Sequence, residues 1–177
     1  MSLSEWFRYQ LQASGDGFVW AIEQLPEERW MLPPPRHPED WSAARHAFHM
    51  LYYDQHFSLE SILQWLGGPR PSLDDLREDD EWAMDLGKDT NSILEQFRAT
   101  RSVQIELLSQ FDEQRWHEPR ETEFWGTVTL QWAVTKTYQH TAEHIHDVLR
   151  MALFWDAALR RLQAQQALAK GPEDGLS

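Results

Sequence analysis

Two histidines one helical turn apart, His140 and His144 in the run Tyr138–His146, have the side-chain type and spacing of a metal site. Residues four apart on a helix project to the same side and can share one ion. Neutral imidazole is the commonest protein metal ligand. The setting strengthens the pair. From Thr129 to Gln166 there is no Gly or Pro, and Leu130, Val134, Tyr138, Thr141, Ile145, Val148, Ala152 and Trp155 recur at helical spacing. At about 100° per residue, His144 falls roughly 60° and His140 roughly 100° from the centre of that stripe on one edge, whereas His146 swings to the opposite side.

A third ligand has to come from another helix. The segment Trp41–Leu66 reads as a second amphipathic helix with Ala44, Phe48, Leu51, Tyr52, Leu59, Ile62, Leu63 and Leu66 inward, and it offers His46, His49 and His56. The same projection places His49 and His56 at the stripe edge and turns His46 toward water. His49 and His56 are about two turns, near 10 Å, apart, so one ion cannot easily use both. Tyr52, Tyr53 and His56 share the neighbourhood of His49, and the pattern singles out none of them as a general base. His37, His46, His117 and His146 read as surface histidines.

A Trp opening the second helix (Trp41), a His eight residues later (His49) and the His140/His144 pair on the last long helix resemble the DinB/YfiT-like metalloprotein superfamily, over roughly residues 1 to 165. The resemblance implies an all-α four-helix bundle in which His49, His140 and His144 bind one divalent metal. It also implies small-molecule chemistry, since members of that superfamily include metal-dependent transferases using low-molecular-weight thiols such as bacillithiol, and a mycothiol-dependent isomerase. Imidazole ligation favours zinc or nickel, with iron and manganese as alternatives. A third histidine in the last helix, His146, departs from the simplest pattern.

The chain has 177 residues, 41% of them hydrophobic, and ten tryptophans, which suits a single domain with a proper core. The expected domain spans residues 1–169, followed by a disordered tail over 170–177. No cysteine is present, which excludes disulfides and a thiol nucleophile of the protein's own. Any thiol chemistry uses a thiol supplied as cosubstrate. A formal charge of −13 repels nucleic-acid phosphates and anionic lipid. With no secretory signal pattern and no stretch long enough to span a bilayer, the expected compartment is the cytoplasm. Ten tryptophans exceed what one small core readily absorbs, so a homodimer is expected.

The elements that must position these residues are four helices: Leu3–Leu25, Trp41–Leu66, Thr90–Phe111 and Thr129–Gln166. In the first, Phe7, Leu11, Phe18, Ile22 and Leu25 point inward; in the third, Ile93, Phe97, Thr100 or Val103, Leu107 and Leu108 do. Residues 31–38 form a proline-rich linker, and Gly67–Pro71 ends the second helix. The acidic run 73–81 reads as a solvated loop without the ligand spacing of a calcium site. No strand signal appears. The three connections run to about 15–23 residues, long for neighbouring helices, so crossovers are allowed. Trp30 and Trp125, in the connections, are candidates to line a pocket above the metal.

Other chemistries fit less well. Glu143 and His146 supply one E-x-x-H, where a di-iron bundle wants two, and no H-E-x-x-H, G-x-S-x-G, P-loop or dinucleotide fingerprint occurs. Three imidazoles leave a coordination position open, which suits catalysis. The expected function is a metal-dependent thiol S-transferase acting on a small molecule. The alternatives are a metal-dependent hydrolase, a non-catalytic bundle that binds a metal or small molecule, or histidines that bind nothing.

Overall fold

A computed structural model describes residues 1–70, 72, 74, 76–84 and 89–169. The tail expected over 170–177 lies outside them. Helix α1 (Leu3–Glu23) starts on a capping box: Ser2 Oγ accepts from Glu5 N–H at 3.1 Å while Glu5 accepts from Ser2 N–H at 2.7 Å. Helix α2 (Ala43–Tyr53) is capped by Ser42 and runs through a π-helical turn (Asp54–Ser58) into α3 (Leu59–Trp65). The single helix expected over 41–66 is therefore interrupted at its middle. Gly67, at φ +96°, supplies the left-handed residue that stops α3, and Gly68 N–H returns to Leu63 O.

Two expectations about the connections are corrected. The acidic run is not wholly a loop, because α4 (Glu78–Met84) forms there, with Trp82 packed on Phe48 and Glu78 and Asp79 paired to Arg45. A hairpin of β1 (Pro119–Thr122) and β2 (Gly126–Thr129) also precedes the last helix, although no strand was expected. Its strands are four residues each and largely exposed, so they carry no alternating apolar signal. Helix α5 (Thr90–Leu108) is capped by Asp89, and α6 (Leu130–Ala169) begins where Thr129 Oγ1 accepts from Trp132 N–H.

Helix α1 packs chiefly on α6 and α5, while α2 and α3 pack on α5 and α6. Around the bundle the order is thus α1, α6, α2/α3, α5. Helices consecutive in the chain, α1 then α2 and α5 then α6, lie across the diagonal, so residues 24–42 and 109–129 must cross an end of the bundle. That geometry explains why those connections are long. Among the described residues, no helix is long and apolar enough to cross a membrane.

The apolar core is divided. One cluster holds Phe18, Ile22, Trp30, Phe48, Phe97, Val148 and Trp155; the other holds Phe7, Leu11, Ile62, Trp65, Leu108, Trp116, Leu130 and Val134. Each long helix passes from one cluster to the other through small or polar residues: Ser14 and Gly15 on α1, Asp54 and Ser58 in the π turn, Arg101 and Gln104 on α5, Thr137 and Thr141 on α6. All are buried. Arg101 donates to both Asp54 carboxylate oxygens at 2.8 and 2.9 Å and to Thr141 Oγ1 at 3.2 Å, while Gln104 donates to the Asp54 carbonyl at 3.0 Å. Burial pushes the Asp54 carboxyl up, and the Arg101 guanidinium opposes that shift.

This belt corrects the reading of α5, where Arg101 and Gln104 take the core-facing place expected for Thr100 or Val103. From the π turn into α3 the buried residues are Ser58, Ser61, Ile62, Gln64 and Trp65, leaving Leu59, Leu63 and Leu66 half-buried. Close packing on α6 selects these small side chains, and Thr137 Oγ1 donates to Ser58 Oγ at 2.9 Å. Removing one partner of a buried ion pair leaves the other charge uncompensated. Arg101→Leu should therefore lower unfolding free energy by about 3–5 kcal/mol, and Arg101→Leu with Asp54→Leu by less, as measured by urea denaturation.

Candidate metal centre

The three histidines singled out in the sequence come together. His49 projects from α2 and His140 and His144 from consecutive turns of α6, with one ligand nitrogen from each lying within 4.8 Å of the others. His49 Nε2 and His140 Nε2 are 3.0 Å apart. Ligands on a tetrahedral zinc ion at about 2.0–2.1 Å would sit about 3.3 Å from each other, so the His49–His140 pair is already near that spacing, and the His144 donor starts from within 4.8 Å. Their chemistry also fits. Burial, reinforced by neighbouring imidazoles, pulls His140 down to about 4 and His144 to about 2 from an ordinary 6.5, so both are neutral near pH 7 and offer a lone pair.

His49 is oriented by a residue the sequence reading missed. Its Nδ1 lies 2.9 and 3.0 Å from the two Glu78 oxygens, and an ionised carboxylate can only accept, so His49 donates Nδ1–H and a neutral ring presents Nε2 as a lone pair. Burial alone would raise the Glu78 carboxyl, but His49 and Arg45 together hold it below its usual value. Arg45 Nη1 reaches Glu78 at 2.8 Å, and its guanidinium lies over the Trp41 ring at 4.7 Å. The chain is therefore Arg45, Glu78, His49, with the acidic helix α4 as support.

The same accounting assigns a proton to His140. If His49 Nε2 is an acceptor, His140 donates Nε2–H across the 3.0 Å contact. Holding an ion through that nitrogen requires the His140 proton to move to Nδ1, where Glu143 Oε2 stands 3.6 Å away. Glu143 is half out in solvent and can swing to accept it.

His46 does not face water, contrary to expectation; it is 8% exposed, with its Nδ1 2.8 Å from His144 Nδ1. The projection failed because α2 has no wet side: apart from half-buried His49, every residue from Ala43 to Tyr53 is buried. His46, His144 and Asp147 form a second group of mutually close donors. His37, His117 and His146 are exposed, as expected, and His56 is half-buried against Tyr52 with ring centres 4.3 Å apart.

The pocket tryptophan is neither of the two suggested. Trp30 is buried in the core, donating to the Ile22 and Leu25 carbonyls, and Trp125, in the hairpin turn, packs on Phe124 and on Trp132 in the first turn of α6. Trp41 covers the histidines instead, 4.9 Å from the His49 ring and stacked 6.2 Å from that of His144. A cleft of about 830 Å³ opens beside them between residues 34–41 and α6, reaching the histidines at His46 and His144. Tyr53 packs on His140, but burial raises its phenol well above the ordinary value, and Tyr52 OH, also raised, accepts from Arg77 N–H at 2.9 Å. Neither phenol is a base near neutral pH.

Replacing His49, His140 or His144 by Ala should weaken zinc binding at least tenfold in calorimetric titration, and His146→Ala should leave it unchanged. The histidine shifts also set an acid limit on the metal-free protein. Folded-state values near 4 lie below the unfolded 6.5, so the unfolded chain takes up more protons between them, and stability should fall as pH drops from about 6.5 toward 4. Urea midpoints at pH 7.5, 6.0 and 5.0 measure that fall, which should shrink in His144→Ala.

Comparison with known proteins places the fold. No curated protein matches. The fold is similar to that of YfiT from Bacillus subtilis, described as a probable metal-dependent hydrolase with an unusual four-helix bundle topology, with a TM-score of 0.69 at 16% identity over 86% of this chain and 88% of that one. It is also similar to a histidine-to-alanine mutant of a mycothiol-dependent maleylpyruvate isomerase, with a TM-score of 0.66 at 11% identity over 82% of this chain; the chain spans only 60% of that protein's length. The sequence profile of the DinB superfamily matches residues 10–148, and the chain belongs to that superfamily.

Proposed function

We propose that the protein is a metal-dependent transferase in which His49, His140 and His144 hold one divalent ion, zinc or nickel by donor type, and an external low-molecular-weight thiol attacks a small electrophile. The observation that carries this reading is the convergence of three imidazoles, one of which, His144, lines a cleft of about 830 Å³ that is large enough for a thiol and a second small molecule. The chain has no cysteine, so it brings no thiol of its own. A divalent ion bound there would supply Lewis acidity that keeps a thiol ionised near neutral pH.

The chain's own residues do the positioning. Glu78 and Arg45 hold the His49 ring, Trp41 walls the histidines from the side of residues 34–41, and the cleft orients the electrophile so that reaction becomes effectively intramolecular. Near neutral pH, proton transfer falls to groups brought by the substrates or to water, since the nearby phenols are raised.

Hydrolysis by activated water is the second reading, supported by the structural likeness to YfiT. A homodimer is included in the proposal, supported by Trp6, Tyr9 and Trp20, which lie exposed along one side of α1; a monomer mass by light scattering at micromolar concentration would remove it. Zinc- or nickel-loaded protein should conjugate thiols to model electrophiles, and metal-free protein and His144→Ala should lose this together without losing helical content. Ester or amide cleavage at full rate without thiol would select the hydrolase reading. Tight metal binding with no turnover in either assay would make the bundle a binding protein.

A further inference from the structure

His46 and His144 face each other with their Nδ1 atoms 2.8 Å apart, and each is 8% exposed. Two lone pairs, or two N–H groups, cannot meet at that distance, so one Nδ1 carries a proton and the other accepts it. A ring buried this deeply and left neutral holds a single proton, so its two nitrogens are never lone pairs together. If His46 donates, the His144 proton sits on Nε2 and that nitrogen cannot ligate. If His144 donates, its Nε2 is the lone pair.

We propose that His46 is a positioning residue for the metal centre: its Nδ1 accepts the Nδ1–H of His144, which commits the His144 lone pair to Nε2 for the ion shared with His49 and His140. This rests on the reading that those three histidines hold an ion. The arrangement parallels the opposite side of the site, where Glu78 accepts Nδ1–H of His49 and leaves its Nε2 free. His46 and His49 lie three residues apart on α2, so one turn of that helix supplies both a ligand and the acceptor that sets the tautomer of another ligand.

The second donor group, His46, His144 and Asp147, competes with this arrangement. An ion held there through the facing nitrogens needs lone pairs on both Nδ1 atoms, which abolishes the hydrogen bond and places the His144 proton on Nε2. A neutral His144 therefore serves one group or the other, and the proposal assigns one ion per chain.

The test uses the full chain labelled with ¹⁵N-histidine, in side-chain ¹⁵N–¹H correlation spectra with and without zinc. Metal-free protein should show His144 protonated at Nδ1 with Nε2 as the unprotonated nitrogen, and one equivalent of zinc should shift that Nε2 signal. In His46→Ala the His144 proton should redistribute to Nε2 and zinc affinity fall about 10- to 100-fold, with His46→Gln, which restores an acceptor oxygen, recovering part of both. A metal-free wild type with His144 protonated at Nε2 overturns the proposal. So does His46→Ala with unchanged tautomer and affinity, or a second zinc equivalent lost on Asp147→Ala. A wild type that binds no zinc would defeat the metal reading instead, and the metal-free spectrum would still decide the tautomer. If His46→Ala fails to fold, the wild-type spectrum and His46→Gln carry the decision.

Discussion

The buried contact between Arg101 on α5, Asp54 in the π turn and Thr141 on α6 fixes the heights at which the helices meet. Asp54 lies five residues beyond His49, and Thr141 sits between His140 and His144 in sequence. A slide of one helix along another would break charge-assisted bonds in a desolvated layer, whereas the apolar clusters on either side could tolerate it far better. The belt therefore acts as a register mark for the two helices that carry His49, His140 and His144. Specificity of alignment is the return for the cost of burying the charges.

The diagonal topology supplies the remaining constraint. Because α1 and α2 lie across the bundle, residues 24–42 must travel over one end, and the last part of that path brings Trp41 against the histidines and forms one side of the cleft. The link between α3 and α5 joins neighbours, yet it contains α4, whose Glu78 and Asp79 fold back on Arg45. Two connections thus complete a cluster whose three histidines, His49, His140 and His144, come from helices. Of the carboxylates beside the imidazoles, Glu78 is engaged by Arg45 and His49 and Asp147 by Arg150 at 3.7 Å, while Glu143 stands 3.6 Å from His140 Nδ1.

Much of this was legible in the sequence because it rests on local periodicity. The four long helices, the inward residues of α1 and α6, and the edge positions of His49, His140 and His144 follow from apolar spacing and angular projection. The failures share a different cause. His46 was turned to water because projection assumes a helix has a wet face, and α2 is enclosed by α4, α5, α6 and Trp41. Glu78 was hidden in an acidic run whose partners, Arg45 and His49, are some thirty residues earlier, and Arg101 and Asp54 are buried by a long-range pairing that no local periodicity marks. The hairpin was too short and polar to be seen. Trp30 and Trp125 showed that a large aromatic in a connection carries no information about which end of the bundle it reaches.

The central claim is that one ion is held by three imidazoles from α2 and α6. X-ray absorption at the metal edge, on full-length protein loaded with one equivalent of zinc, tests it most directly. The account predicts three imidazole nitrogens at about 2.0–2.1 Å with one further light-atom ligand, and loss of one imidazole from the shell in His49→Ala. A shell that contains fewer than three imidazoles, or one unaltered by His49→Ala, would contradict it.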